Sequence, residues 1–579
     1  MTLEFLLPIE TVSHNIIDDS VIKDLEVIES KSKSEEAGVH SLFDVIYKPE
    51  HPVDELVKER IMSSYTTDIS FLTQTSKFIK LSRGRQNTVD RDTLTRAYDA
   101  VKEISDEQDF HSKYQYIEIG LFKSLNHSPQ FMQMLSFYNM LSPLITLLTP
   151  VIIMILPFFL IRYQGVPLSI KAYIGTIKHL LRNHAIGKLA ESFGSISWEK
   201  RVYLMITVSF YVLQVYQNAL SCYRFTKNMV HIHKQLFAIR AYLESTCSVI
   251  QETSQIVQSN NLGKYQTFSE TNDRCLVKLR TLLAELECIT PLKVSIPKAC
   301  QVGSVMRLYY SIRHDDAIRS AIDYSFKLNS YLGLVRQLGE IPSLKPATFT
   351  ESNTQQWEAK NLKYPHHIGS KTVGNTFKLK RPLLLTGPNA SGKTTLLKSA
   401  FLNTLLSQQF GCGFYDKLIM KPYDVFHCYL DIPDTSGRDS LFQAEARRCL
   451  DIVKSVDDSK KRYFCIFDEL YSGTNPVEAV AGAFAFTRFL AKRRNVSFLI
   501  TTHFYDFCKL CDTHKVGVRN SQMGWDSRKG SGDTSDDVTF TYKVKPGIST
   551  LRGGVRVLKQ IGYPTMIVDD ALTILKDYV

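Results

Sequence analysis

Cysteine is absent before Cys222, and the 11 cysteines of the chain show no paired spacing. This distribution excludes a disulfide scaffold and predicts reduced core residues in a chain that works in a reducing compartment. Cys508 and Cys511 form one CxxC pair. Because no second pair or nearby pair of histidines supplies four zinc ligands, we interpret this spacing as coincidence.

A signal peptide is also lacking, because the apolar run in residues 1–10 is short and has no basic start. Residues 29–38 are polar and charged, as is typical of an exposed linker, and residues 92–117 are charged and compatible with helices. No pattern in residues 1–123 carries a recognisable chemistry. The role of this region therefore stays open.

Residues 124–161 contain no Asp, Glu, Lys or Arg. Within them, residues 141–161 are long and apolar enough to cross a bilayer as a helix. Pro143, Pro150 and Pro157 would each cost about 3 kcal/mol in the interior of a soluble helix, whereas membrane helices tolerate proline better. The sequence predicts a transmembrane span here, with a buried and broken helical core as the alternative.

Residues 202–223 form a second charge-free run, but polar side chains dilute it. We therefore predict one or two long hydrophobic helices in residues 124–225. Between the two runs lies a basic loop, which prefers the cytoplasmic side of a membrane. Two spans would separate this loop from the C-terminal domain, whereas one span would separate the N-terminal region from it, and the sequence leaves both topologies open.

Glycine and proline are sparse from Arg224 to Leu344, where the apolar residues recur with helical spacing. Two sets of apolar residues each share one helical face, namely Leu276, Leu279, Leu283 and Leu286, and then Leu328, Leu332 and Val335. The pattern predicts long packed helices, or a lever-like core. Pro342 and Pro346 indicate a boundary before the next domain.

A glycine-rich loop follows the apolar run that begins at Leu383. Gly387, Gly392, Lys393 and Thr394 fill the phosphate-loop pattern G-x-x-x-x-G-K-[ST]. Backbone N–H groups of such a loop and the positive end of the following helix bind phosphate, while the lysine adds a charge. We predict that ATP contacts Gly387, Pro388, Asn389, Ala390, Ser391, Gly392, Lys393, Thr394 and Thr395, with Mg²⁺ on Thr394.

Two further apolar runs end in polar residues. Residues 463–467 precede Asp468 and Glu469, as when a buried parallel strand delivers carboxylates to its carboxyl end. Asp468 is expected to bind Mg²⁺ through water, and Glu469 to polarise the attacking water. Residues 497–500 precede Thr501, Thr502 and His503, and this histidine is a candidate sensor of the γ-phosphate.

Four ordered segments carry a family resemblance. They read GPNASGKTT at 387–395, DTSGRDSLFQAEARRCLDIV at 434–453, DELYSGTNP at 468–476 and TTH at 501–503. They resemble the ATPase domain of the MutS mismatch-repair family, and the resemblance covers residues 360–575. Outside the four segments it is carried by Asn375, residues 518–520, Met523, residues 542–550, Gly553, Gly554 and Pro564.

The resemblance implies an α/β phosphate-loop ATPase domain of the ABC-like MutS type in residues 351–579, ending in a dimerisation segment. A mainly α-helical region is expected to precede it, divided into residues 1–123, 124–225 and 226–350. In that family, the serine of an S-x-F-x-x-E segment reaches across a dimer toward the partner's nucleotide. Ser440, Phe442 and Glu445 match this segment. The resemblance thus implies a homodimer with ATP and Mg²⁺ in composite sites, and catalytic roles for Glu469, His503 and Ser440.

One departure from the family concerns its mismatch-reading domain, which bears a Phe-x-Glu wedge. The N-terminal region shows no such motif, and Phe268, Ser269 and Glu270 have only the same letters before a leucine-patterned helix. We interpret this match as coincidence. Long hydrophobic runs stand where the family has connector and clamp elements, which is a second departure.

Two functions follow from these patterns. The first is a MutS-like ATPase that clamps DNA and is related to mismatch repair or recombination. The second is a membrane-associated ATPase with a mechanical or scaffolding role and no mismatch recognition. The net charge of +12 and pI of 9.0 favour anionic partners, either double-stranded DNA or an acidic membrane. A transporter would need more spans and a glycine-rich signature that SGRDS does not supply.

Overall fold

The structure is a computed structural model. It describes residues 3–30, 40–84, 89–165, 169, 171–175, 178, 198–289, 301–352, 357–367, 372–430, 441–528, 537–550, 555, 558 and 561–577. Most of the predicted linker at 29–38 lies outside these residues, as do Ser440, Gly553 and Gly554.

The helices of the chain, in order, occupy both its N-terminal and its C-terminal parts. They are α1 Asp19–Asp24, α2 Leu42–Tyr47, α3 Lys58–Ser63, α4 Ile69–Leu81, α5 Arg91–Asp106, α6 Phe110–Tyr114, α7 Pro129–Tyr163, α8 Trp198–Ser259, α9 Gln266–Glu287, α10 Val302–His314, α11 Asp316–Glu340, α12 Lys393–Phe410, α13 Leu441–Ser455, α14 Pro476–Ala491, α15 Tyr505–Thr513 and α16 Thr565–Asp577.

Strands are concentrated after α11. They are β1 Asn15–Ile16, β2 Ser64–Tyr65, β3 Leu344–Pro346, β4 Thr348–Phe349, β5 Trp357–Leu362, β6 Asn375–Lys378, β7 Leu383–Thr386, β8 Cys412–Phe414, β9 Lys417–Met420, β10 Val425–Tyr429, β11 Tyr463–Asp468, β12 Val496–Thr502, β13 Arg519–Arg528 and β14 Asp537–Pro546. An α/β region therefore follows a mainly helical one, as predicted.

The residues form two compact units from non-consecutive segments. The helical unit comprises Met1–Leu3, Val89–Ser248 and Cys275–Asp323, and the α/β unit comprises Glu4–Thr88, Val249–Arg274 and Tyr324–Val579. These limits do not follow the four consecutive segments predicted from the sequence. Contacts between residues far apart in the chain define them.

In the helical unit, aromatic and hydrogen-bonding contacts join α5, α6, α8 and α10. The rings of Phe110 and Tyr309 are stacked with centroids 5.5 Å apart. The hydroxyl of Tyr309 donates to Gln235 Oε1 at 2.7 Å, and Gln235 Nε2 donates to Glu103 Oε2 at 2.7 Å. These partners compensate for the burial of polar groups in the core.

The helices α7 and α8 of the helical unit carry the two predicted spans. Among the described residues, one segment, Pro129–Thr149, has the length and the mean hydropathy, 1.3, of a helix that could cross a membrane. The predicted span at 141–161 overlaps this segment. The described part of 202–223 does not reach the same hydropathy, because Thr207, Gln214, Gln217 and Asn218 lower it.

A six-stranded sheet forms the centre of the α/β unit, in the order β10-β11-β12-β7-β13-β14. The first five strands are parallel, and β14 runs antiparallel to β13. The side chains of β7 and β12 are buried along both strands, as is usual for a parallel sheet covered on both faces. This sheet brings the carboxyl ends of β7, β11 and β12 together at one edge.

The helix α12 follows β7 and is buried along almost its whole length. Its polar side chains find partners inside the protein. Gln408 Nε2 donates to the carbonyl of Tyr423 at 2.8 Å, and Asn403 Oδ1 accepts from the backbone N–H of Phe414 at 2.6 Å. Thr404 Oγ1 accepts from the indole N–H of Trp357 at 2.9 Å.

Part of the N-terminal region belongs to the α/β unit, which the sequence did not predict. The backbone N–H of Thr66 donates to the carbonyl of Gln408 at 3.0 Å, and Gln409 Nε2 donates to the carbonyl of Met62 at 2.7 Å. The hydroxyl of Tyr65 donates to the carbonyl of Asp424 at 2.7 Å. Residues 62–66 therefore cover the C-terminal end of α12.

The helical patterns predicted for residues 276–286 and 328–335 are confirmed. Leu279 and Leu286 are buried in α9, and Leu328, Leu332 and Val335 are buried in α11. In the first set, Leu282 is buried where the pattern placed Leu283. Phe268 is a core residue of the α/β unit and packs against Tyr331 with centroids 5.7 Å apart.

We predict that Gly411→Ala destabilises the α/β unit more than Gly84→Ala. Both glycines have left-handed backbone, with φ of 70° and 69°, so alanine costs about 1 kcal/mol at either site. A Cβ at Gly411 would lie 2.0 Å from the carbonyl oxygen of Leu72, whereas a Cβ at Gly84 meets nothing within 4 Å. Gly411→Ala should therefore lose about 1–3 kcal/mol more in urea unfolding. Equal losses would contradict the close packing of α12 on α4.

Candidate active site

The predicted phosphate loop connects β7 to α12. Gly392 has φ of 93° and Ala390 has φ of 61°, both in the left-handed region. Glycine adopts this conformation without steric cost. A Cβ at Gly387 would lie 2.8 Å from Ser391 Oγ, which itself donates to the carbonyl of Pro388 at 2.7 Å. The glycines of the motif thus stand where the backbone turns and where it packs closely.

Lys393 begins α12 and its side chain is only 4% exposed. Its ammonium group donates to the carbonyl of Pro388 at 3.2 Å and lies 3.6 Å from Glu469 Oε1. His503 Nδ1 is 3.5 Å away. Burial lowers the pKa of Lys393, and the two neighbouring carboxylates counteract this effect. The lysine is therefore held inside the site by the loop and by the acidic residues of β11.

Asp468 ends β11 and accepts two hydroxyl hydrogen bonds. Thr394 Oγ1 donates to its Oδ2 at 2.7 Å, and Thr501 Oγ1 donates to its Oδ1. These are hard oxygen ligands of the kind that Mg²⁺ prefers, and Mg²⁺ is commonly held by one or two carboxylates plus substrate phosphates. Among the described residues, no group of three or more His, Cys, Asp or Glu could hold a metal. A magnesium ion here would accordingly need oxygens from its nucleotide.

Glu469 follows Asp468 in left-handed backbone, with φ of 54°. Its backbone N–H donates to the carbonyl of Thr501 at 3.2 Å, and its Oε2 lies 2.7 Å from His503 Nε2. Burial alone would raise the pKa of Glu469. The hydrogen bond from His503 and the positive charges of His503 and Lys393 outweigh burial and lower this pKa below its usual value. The side chain is thus an ionised carboxylate at neutral pH.

A cavity of about 540 Å³ opens beside the loop. Its volume falls in the range of small-molecule sites. Asn389, Lys393, Thr394 and Glu469 contribute polar groups to it, and the predicted loop residues Ala390, Gly392 and Thr395 also line it. The residue types and the glycine-rich backbone fit a nucleotide with its phosphates at the loop.

Other walls of the cavity were not predicted as site residues. Tyr364, His367, Met523 and Tyr542 line it. Asn375 fixes one of these walls, because its Nδ2 donates to the carbonyl of Tyr542 at 3.0 Å. The available signal was the run YPHH after β5, which combines aromatic and polar groups next to a strand.

Ser440 lies outside the described residues, but the rest of its segment is visible in α13. Glu445 is buried and accepts from Ser472 Oγ at 2.9 Å and from the backbone N–H of Gly473 at 3.2 Å. The ring of Phe442 lies 5.8 Å from that of Tyr471. These contacts hold the loop that follows Glu469, a positioning role that the sequence comparison of motifs did not assign.

The CxxC pair is buried in α15. Burial raises the pKa of both thiols, that of Cys511 to about 12, so neither is a ready nucleophile or metal ligand at neutral pH. Both belong to the hydrophobic cluster behind the sheet. Their packing is that of ordinary core residues.

The site therefore assembles most of the predicted residues at one edge of the sheet. The loop 387–395, Asp468, Glu469 and His503 meet at the carboxyl ends of β7, β11 and β12. The hydroxyl of Thr501, which the sequence placed only at a strand end, completes the contacts of Asp468.

Comparison with known proteins relates this region to one family. Residues 383–578 match the model of MutS domain V. The DNA mismatch repair protein MSH3 of Meyerozyma guilliermondii is 28% identical over 197 residues, 34% of this chain and 20% of that protein. Endonuclease MutS2 of Lachnospira eligens is 32% identical over 221 residues, 36% of this chain and 26% of that protein.

A third relative, the DNA mismatch repair protein MutS of Persephonella marina, is 27% identical over 207 residues, 35% of this chain and 23% of that protein. The matched part spans about a quarter, or 20–26%, of the length of these three relatives. The family resemblance of the C-terminal motifs is confirmed.

We predict that His503→Ala raises the pKa of Glu469 more than Lys393→Ala does, since His503 provides the larger lowering effect. In the wild-type chain, the ionised Glu469 stabilises the fold above its unfolded pKa, and this contribution is lost as pH falls through the lower folded pKa. Carboxylate titration by isotope-edited infrared spectroscopy measures both pKa values, and Glu469→Gln assigns the signal. An unchanged pKa in His503→Ala would contradict the contact.

Proposed function

Since residues 383–578 belong to the MutS family, we propose that this chain binds and hydrolyses ATP with Mg²⁺ at the site described above. The observation that carries the proposal is the convergence of Lys393, Thr394, Asp468, Glu469 and His503 beside one cavity. This is a phosphate-loop site with carboxylates on a neighbouring parallel strand.

Each residue has a defined part in the proposed reaction. The loop backbone and Lys393 bind the phosphates, and Thr394 and Asp468 hold Mg²⁺, which neutralises charge on the phosphate oxygens when bound. Glu469, ionised and oriented by its 2.7 Å contact with His503, accepts a hydrogen bond from the attacking water. His503 keeps the carboxylate in place and adds positive charge near the γ-phosphate position.

We further propose that the chain acts as a homodimer with composite sites, to which Ser440 of one copy contributes across the interface. An exposed apolar face near the C-terminus supports dimerisation. Met566, Ile567, Leu572 and Ile574 are exposed on or beside one another in α16. Burying such a face against a second copy would stabilise a dimer.

The DNA-related function is also a proposal. Relatives that match residues 383–578 are named DNA mismatch repair proteins. We propose that ATP binding and hydrolysis drive a conformational clamp on double-stranded DNA, in mismatch repair or recombination. The net charge of +12 supports contact with an anionic backbone.

A second candidate function rests on the exposed apolar surfaces of α7 and α8. In that case the same ATP cycle drives a mechanical or scaffolding change at a membrane, and no mismatch is recognised. The two functions differ in whether the bound anionic surface is DNA or lipid.

We predict that Lys393→Ala loses nucleotide binding, because it removes the buried cation of the loop. Glu469→Gln should bind ATP and hydrolyse it at least about 100-fold more slowly, which is the usual contribution of a group that assists proton transfer. Equilibrium binding of a fluorescent ATP analogue and phosphate release measure the two effects. Lys380→Ala removes an exposed lysine before β7 and serves as the matched control, with both activities retained.

If Lys393→Ala binds ATP like the wild-type chain, the cavity is not the nucleotide site. If Glu469→Gln turns ATP over at the wild-type rate, another group orients the water. Thermal unfolding of each variant separates these outcomes from a loss of folding.

We predict that binding to duplex DNA is mainly electrostatic and does not depend on a mismatch. The affinity should fall steeply with added salt, with a slope that counts neutralised phosphates. Fluorescence anisotropy with matched and single-mismatch duplexes at two salt concentrations provides the measurement. A preference for the mismatch above about tenfold, roughly 1.4 kcal/mol, would contradict this prediction and favour a recognition element that the sequence did not reveal.

A further inference from the structure

The helices α7 and α8 form an antiparallel pair within the helical unit. Asn218 Nδ2 donates to Thr146 Oγ1 at 2.6 Å, and the hydroxyl of Tyr211 donates to the carbonyl of Leu147 at 3.3 Å. Cys222 Sγ lies 3.3 Å from the carbonyl of Met140. As residue numbers rise on one helix they fall on the other, so residues 141–161 run beside residues 202–223.

The polarity of this pair is reversed relative to a soluble protein. Polar groups of Thr146, Tyr211 and Asn218 face the partner helix, while apolar side chains face outward. Exposed apolar residues of the outer surface include Leu144, Ile145, Leu147, Leu148, Val151, Ile152, Ile155, Leu156, Phe159, Leu160, Val202, Met205, Ile206, Phe210, Val212 and Leu213. Their positions cover most of the circumference of each helix rather than one stripe.

The length of the apolar belt matches a bilayer. At about 1.5 Å per residue, residues 141–161 span roughly 31 Å, close to the thickness of the hydrocarbon core. Charged residues bound the belt at both ends, with Arg162 and Arg201 at the turn of the pair and Arg224 at the opposite end. The exposed amides of Gln214 and Gln217 lie in the half nearer Arg224.

Exposed aromatic residues stand at the same two levels as the charges. Tyr163 and Trp198 are 92% and 76% exposed at the turn, next to the exposed ring of Tyr203. Tyr138 and Tyr223 are exposed at the other end. Membrane proteins concentrate tyrosine and tryptophan at the two interfaces of the bilayer.

We propose that α7 and α8 insert together into a lipid bilayer as a two-helix hairpin. Lipid is favoured over a second copy of the chain, because a protein partner would cover one face, whereas the apolar surface surrounds both helices. The hydrogen bonds between Thr146, Tyr211, Leu147 and Asn218 hold the helices together where lipid offers no partners. This inference deepens the second candidate function, but its test requires neither ATP nor DNA.

The hairpin also selects one of the two topologies left open by the sequence. Both ends of the pair emerge on one side of the membrane, and the turn between Tyr163 and Trp198 lies on the other side. Lys171 and Lys178 then lie near the lipid headgroups of the far leaflet, where anionic lipid attracts them.

The first experiment compares two substitutions at sites of equal exposure. Phe210 in the belt is 67% exposed, and Val277 on α9 of the same unit is 66% exposed. The full chain is synthesised in a cell-free reaction with vesicles of phosphatidylcholine and phosphatidylglycerol, and floated after washes in high salt and in carbonate. We expect the wild-type chain and Val277→Arg to float, and Phe210→Arg to float at least tenfold less, because arginine at mid-bilayer is costly.

Other results would overturn the proposal. Release of the wild-type chain by high salt would indicate adsorption by charge only, and flotation of Phe210→Arg at the wild-type level would show that the belt does not enter lipid. A wild-type chain that stays unbound and forms a dimer that Phe210→Arg dissociates would assign the belt to a contact between copies. Circular dichroism verifies that Phe210→Arg is helical, and Lys393→Ala should still float, so this test and that of the ATPase can fail separately.

The second experiment tests the crossing itself with a membrane-impermeant maleimide. Cys288 is exposed on the helical unit, and Ser169→Cys places a thiol at the turn end of the hairpin. In sealed vesicles we expect labelling of Cys288 and protection of residue 169 until detergent is added, as read by mass spectrometry of the two peptides. Equal labelling of both thiols before detergent would mean that the hairpin lies on the surface and does not cross.

Discussion

Burial of α12 along its length is the constraint on which the α/β unit depends. A buried amide without a partner costs about 1–3 kcal/mol, so the polar residues of this helix require partners in fixed places. The strand and loop backbones around it supply them, at Tyr423 for Gln408 and at Phe414 for Asn403. The N-terminal region contributes another partner, the carbonyl of Met62. The first turn of the helix, with Lys393 and Thr394, is thereby held in place relative to the sheet.

The same constraint accounts for the arrangement of the two carboxylates. Successive side chains of a strand point to opposite faces. Asp468 ends β11 in register with Thr501 of β12 and accepts hydrogen bonds from both Thr394 and Thr501. The left-handed backbone of Glu469 redirects the chain after the strand, and its carboxylate meets Lys393 and His503 instead. One strand end thus delivers one group suited to a cation and one suited to a water molecule.

How much of this site could be predicted from the sequence depends on the distance along the chain. The loop at 387–395 and the pair Asp468 and Glu469 are encoded by short runs whose strand and helix context is local, and the structure brings them together as expected. Tyr364 and His367 were missed, because an aromatic residue and a histidine beside a strand are also typical of a core. The contacts of residues 62–66 with α12 join parts of the chain that are far apart, and no local pattern indicates such pairs.

The helical unit follows a different rule from that of α12. Both places pair polar groups inside, but α12 is surrounded by protein, whereas the apolar outer surface of α7 and α8 faces no part of the described chain. A monomeric soluble protein rarely exposes a contiguous apolar patch beyond about 300–600 Å². Two helices exposed over the full length of their apolar belts greatly exceed this limit, and the second span is hidden from hydropathy by Asn218 and Tyr211, whose polar groups turn inward. The low hydropathy of that helix is therefore a consequence of the pairing of the two helices rather than evidence against insertion.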